Sequence, residues 1–146
     1  MKKPFTSIII AIISCFCLLS LIGCNKEINN ITDIEGYSDM QLQTDKIEVE
    51  YDTNNGSTFN FIIDDKNDIA YIMNIILNDT LKNLGKEPPD GDSGYLTIYQ
   101  GEKTYELGIR INYEGSYYYE FSSNDLDKKI TELAEKAGLN NYLSDD

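Results

Sequence analysis

Apolar and polar positions follow three rhythms along this chain. From Pro4 to Gly23 the segment "PFTSIIIAIISCFCLLSLIG" is mostly apolar and carries no charge. From Asn25 to Asp45 polar residues dominate, and the scattered apolar ones keep no sustained period. From Lys46 the pattern becomes regular. It alternates at period two, passes to helical spacing, and repeats that sequence of rhythms once more before the C-terminus.

In "KIEVEY", Ile47, Val49 and Tyr51 alternate with acidic residues, the mark of a strand with one wet face. "TFNFII" answers it with Phe59, Phe61 and Ile63. A three-residue loop, Asn54-Asn55-Gly56, sets Tyr51 opposite Phe59, Val49 opposite Phe61 and Ile47 opposite Ile63, so both apolar faces coincide. Asp65 suits the cap of a helix beginning near Lys66. Ile69, Ile72, Met73, Ile76, Leu77, Leu81 and Leu84 extend one apolar face to an expected stop at Gly85.

"YLTIY" and "TYELGIRIN" flank Gly101-Glu102, a pair suited to a two-residue turn that sets Leu96 against Leu107 and Ile98 against Tyr105. "YYYEF" returns through an expected odd-length loop, pairing Ile111 with Tyr119, Ile109 with Phe121 and Arg110 with Glu120. Leu126, Ile130, Leu133 and Ala137 mark a last helix, begun by Ser123 or Asn124 and ended at Gly138. The order β-β-α-β-β-β-α predicts an α+β fold: a five-stranded, mainly antiparallel sheet with both helices on one face. Residues 46–146 are expected to form this single domain.

The first segment has a separate meaning. Lys2 and Lys3, an apolar stretch and a small-residue exit are the parts of a secretory signal. Leu21-Ile22-Gly23-Cys24 resembles the lipobox of bacterial lipoproteins. That resemblance implies removal of residues 1–23 and a diacylglycerol on the Cys24 thiol. It also implies residence on the extracytoplasmic face of the cell membrane, held by acyl chains. Residues 24–45 then read as a lipidated N-terminus and a flexible tether, about 70 Å long if straight. The whole pattern is similar to small lipoproteins of unknown function in low-GC Gram-positive bacteria, although Lys46–Leu143 carries no diagnostic motif.

Charge and cysteine usage narrow the partners. The chain has a net charge of −13, and losing Lys2 and Lys3 leaves ten basic residues against 25 acidic ones, or −15. Such a surface repels nucleic acid and anionic lipid headgroups, so no nucleic-acid partner is expected. The chain has no His, and lipidation of Cys24 would consume the one cysteine left after cleavage. The usual zinc and copper ligands and the common nucleophile pairs are therefore missing. No cofactor, metal centre or catalytic residue is expected. Asp90 and Asp92 in "PPDGDSG" match the first two ligand positions of a calcium loop, but Gly94 then takes the place of the third.

The expected outward face of the last three strands carries Tyr95, Thr97 and Tyr99 beside Glu106 and Arg110, with Tyr118 and Glu120 next. Tyrosine and arginine are residue types that anchor interfaces. Tyr95, Tyr99, Arg110 and Tyr118 are thus the candidate contacts for a protein, peptide or glycan. The function expected is a membrane-anchored binding or accessory module. The alternative is an acidic inhibitor or immunity-type protein that occupies a basic partner.

Overall fold

The computed structural model describes residues 28–52, 58–87, 89 and 94–139. The signal, the lipobox, Cys24 and the Asp90/Asp92 pair lie outside the described residues, as does the loop between the first two strands.

Period-two alternation draws Lys46–Asp52 (β1) and Thr58–Ile63 (β2) into an antiparallel pair. Ile47 faces Ile63, Val49 faces Phe61 and Tyr51 faces Phe59, as expected. Gly94–Gln100 (β4) pairs with the other edge of β1, and Lys103–Gly108 (β5) follows with Leu96 against Leu107 and Ile98 against Tyr105. These four strands form one antiparallel sheet in the order β2-β1-β4-β5.

A second antiparallel sheet replaces the expected single one. It contains Leu81–Gly85 (β3), Ile111–Glu114 (β6) and Tyr117–Phe121 (β7), in the order β3-β7-β6. Among the described residues the architecture is α+β, with two antiparallel sheets of four and three strands and two α-helices.

The helix expected to reach Gly85 covers only Lys66–Asn78 (α1), with Asp65 capping it through the backbone N–H groups of Asn67 and Asp68. Its early end has identifiable partners. Asn30 Nδ2 donates to the carbonyls of Leu77 (2.8 Å) and Asp79 (3.1 Å), and the Leu77 bond satisfies an orphan carbonyl of the last turn. The Asp79 carboxylate accepts from the Thr80 N–H and from both the N–H and hydroxyl of Ser123. Leu81 and Leu84 therefore belong to a strand that pairs with β7, not to a helical face.

The strand expected through Ile109 also breaks. β5 ends at Gly108 and β6 begins at Ile111, while Ile109 turns into the core at 1% exposure. The β6–β7 turn is Gly115-Ser116, an even-length loop that pairs Ile111 with Glu120 and Asn112 with Tyr119. Gly115, at φ +63, supplies the left-handed conformation that such a tight turn demands. The shift buries Asn112, whose amide is satisfied at once: it accepts from the Gly108 N–H (3.1 Å) and donates to the Gly108 carbonyl (3.3 Å). A hydrogen-bonded side chain thus holds the break that alternation alone did not reveal.

The segment expected as tether is packed into the domain from Ile28 onward. Ile31, Ile34 and Met40 are buried in the same core as both sheets and both helices, and Ile28 and Tyr37 pack against it. Ile31–Asp33 forms a 3₁₀ turn closed by a reciprocal Asn30/Asp33 capping box. The Leu81 N–H donates to the Asn29 carbonyl at 2.8 Å, tying the segment to the start of β3. Burial of three large apolar side chains outweighs the polar composition that made these residues look like a linker.

The last helix, Asp125–Lys136 (α2), buries Leu126, Ile130, Leu133 and Ala134, but Ala137 lies past its end and is exposed. In its first turn, Asp127 has a buried Oδ1 with no hydrogen-bond partner. Burial pushes its carboxyl above the ordinary range, opposed by the charge of Arg110. A raised folded-state pKa favours the protonated native protein, so this contribution is present at acid pH and lost as pH rises through the folded value. Asp127→Asn is therefore expected to raise the urea midpoint at pH 7, with the gain shrinking toward pH 4. An equal gain at both pH values would contradict this origin.

Candidate functional site

The four residues singled out from sequence do not form one patch. Tyr99 is already engaged: its hydroxyl donates to Glu48 Oε2 at 2.7 Å, and Lys46 Nζ lies 4.2 Å from its ring centroid. Lys46 and Glu48 are themselves paired at 2.6 Å, and this hydrogen bond, with that from Tyr99, holds the Glu48 carboxyl below its usual range. The triad is a local surface cluster on β1 and β4.

Arg110 stands elsewhere. Its Nη2 lies 3.4 Å from Glu120 Oε1, and its charge also acts on Asp127 and Tyr51. The Arg110–Glu120 pair expected from sequence is thus present, although the strand register expected to create it is not. Such a half-exposed ion pair contributes little, about 0.2–1 kcal/mol.

Tyr95 and Tyr118 do converge. With Tyr37 and Tyr113 they line an open cleft of about 240 Å³, completed by Glu106, Leu107, Gly108 and Asn112. The cleft lies where β5 gives way to β6, so both sheets contribute to it. The register sets Tyr95 opposite Gly108, where the missing side chain leaves room for an aromatic ring. Tyr113 and Tyr118 are cross-strand partners with ring centroids 5.1 Å apart at an interplanar angle of 49°. Tyr37 enters from the N-terminal segment. Its ring stacks at 6.3 Å on Tyr105 and its hydroxyl donates to the backbone carbonyl of Glu106.

The electrostatics of this cleft are one-sided. Burial pushes the Tyr37 phenol above its usual range, and the Glu106 and Glu114 carboxylates push it further the same way. Burial raises the Tyr119 phenol, with Glu114 adding to it, and Glu114 accepts from the Glu35 N–H at 3.1 Å. The described lining includes no Lys or Arg. Asn112, the one amide there, is turned to the Gly108 backbone.

Tyr37 and Tyr113 are cleft residues that the sequence pattern does not single out. Tyr37 lay within the expected tether. Tyr113 follows the expected strand and lies within β6 only in the observed register, one residue away from the expected pairing. Among the described residues no cluster of three or more carboxylates could hold a metal ion, and no helix is long and apolar enough to cross a membrane. Comparison of the chain with protein-family models, curated proteins and solved structures finds no match.

Proposed function

We propose that this chain is a lipid-anchored extracytoplasmic binding module and that the Tyr37–Tyr95–Tyr113–Tyr118 cleft is its ligand-contacting surface. The cleft carries the proposal. Four aromatic rings converge on an open depression, with Tyr95 41% and Tyr113 58% exposed. Aromatic rings left at a surface in this arrangement supply contact area at low conformational cost.

The anchor rests on the resemblance of Leu21-Ile22-Gly23-Cys24 to a lipobox. With the described domain beginning at Ile28, three residues lie between it and Cys24, a reach of at most about 14 Å. A lipid on Cys24 would moor the domain against the bilayer and not at the end of a long tether. Because the acidic exterior is repelled by anionic headgroups, the acyl chains alone would hold it there.

In native material, intact mass is expected to show a chain beginning at a diacylated Cys24, and Cys24→Ser is expected to leave the membrane fraction. A retained Met1 or an unmodified Cys24 thiol would overturn the anchor. The second function, occupation of a basic partner protein, is favoured by the net charge and by the described lining of the cleft, which includes Glu106 and no Lys or Arg. Capture driven by charge alone should collapse between low and high salt, whereas capture through tyrosine contacts should persist.

A further inference from the structure

The cleft joins three properties: several aromatic faces, carboxylates close to them, and the capacity for one small group. Ring faces are electron-rich, and a cation placed over them within about 6 Å is attracted. Glu106 lines the cleft, and it and Glu114 both act on the Tyr37 phenol. At about 240 Å³ the space is smaller than the roughly 300–1,000 Å³ of pockets that enclose whole drug-sized ligands, which suits a head group. A neutral sugar would find the Asn112 amide already turned to Gly108. An anion would meet the Glu106 carboxylate and no cation in the described lining.

Resting on the cleft as the ligand-contacting surface, we propose that it takes an alkylammonium group, seated over the tyrosine rings and neutralised by Glu106, the carboxylate that lines the cleft. The group could be borne by a small quaternary cation or by a lysine side chain; both present the same chemistry.

The test is titration of the full chain in detergent micelles at low salt, followed by NMR of ring-labelled tyrosine. The probes are choline, its uncharged carbon isostere 3,3-dimethylbutan-1-ol, and N-acetyl-lysine methylamide. Choline is expected to shift Tyr95, Tyr113 and Tyr118, and the isostere is expected to leave them unmoved. Tyr95→Ala should weaken choline binding about 2- to 30-fold, the range spanned by one cation–π contact. Glu106→Gln should weaken it as well, while Tyr113→Phe, which keeps the ring, should preserve it. Binding of the lysine derivative as tight as that of choline would assign the group to a peptide; binding of choline alone would assign it to a quaternary cation.

Equal binding of the uncharged isostere overturns the inference while leaving the cleft a binding surface. So does a neutral glycan that shifts these rings when choline does not. If no probe shifts them, and Tyr95→Ala together with Tyr113→Ala leaves partner capture from extracts of the native membrane unchanged, both this inference and the assignment of the cleft fall. Both tyrosines are exposed, so these variants should retain the native far-ultraviolet circular dichroism.

Discussion

Ile31→Ala is expected to lower the free energy of unfolding by about 2–5 kcal/mol, the range for truncating a fully buried aliphatic side chain. Ile31 has 0% exposure and sits in the 3₁₀ turn that Asn30 and Asp33 close on both sides. Shortening the side chain leaves a cavity between that turn and the core. The turn itself holds Asn30 against the end of α1, so loss of packing should also loosen the cap on Leu77 and Asp79. Equilibrium unfolding in urea gives the number directly. Leu42→Ala, eleven residues along and 56% exposed, is the internal control and should change stability by no more than about 0.5 kcal/mol. A segment that served only as a spacer would show neither a loss at Ile31 nor a difference between the two. Equal, negligible effects would place the start of the domain back at Lys46.

Gly94→Ala is expected to be at least as damaging, costing about 3 kcal/mol or more. Two independent penalties coincide there. The backbone has φ +110, a conformation that side-chain-bearing residues rarely adopt. An added Cβ would also lie 2.0 Å from the carbonyl oxygen of Glu50 and 2.9 Å from the Tyr51 Cα, both backbone atoms of the neighbouring strand. Because Gly94 pairs with Tyr51 and its carbonyl accepts from the Ile109 N–H, neither side can yield without disturbing the β1–β4 ladder and the turn toward β6. Strain of this kind and overpacking each cost on the order of 1–3 kcal/mol. Gly115→Ala separates the two penalties. That position has φ +63 but nothing within 4 Å of an added Cβ, so only the backbone cost of about 1–2 kcal/mol should remain. If both variants unfold at the same urea concentration, steric contact with β1 is not what requires Gly94.

The same residues show how far local pattern reaches. The β1–β2 and β4–β5 registers follow from alternation because each pair joins neighbouring strands, and a shift by one residue would expose every apolar side chain at once. Tyr95 is legible as a surface aromatic for the same reason, whereas Tyr118 follows only from the alternation within its own strand, since the expected β6–β7 register does not hold. The missed features depend on partners distant along the chain. Whether Leu81 and Leu84 continue a helix or begin a strand depends on Asn30 and Ser123, some forty or more residues away, capturing the groups at the helix end. Alternation favoured Ile111 as the inward residue of β6. Asn112 is buried all the same, its amide closed on the Gly108 backbone, something a hydrophobic count does not register. Tyr37 was hidden among polar neighbours until Ile31, Ile34 and Met40 packed into the core and carried it to the cleft.

Taken by itself, the amino-acid sequence determined the α+β class, the inner and outer faces of the β1–β2 and β4–β5 hairpins and the acidity of the chain, since each depends on composition or on residues close along the chain. The tertiary structure decided where the domain begins, where helix gives way to strand, and which tyrosines meet. Those outcomes turn on long-range burial and on hydrogen bonds whose two ends are far apart in the chain, and no local periodicity records them.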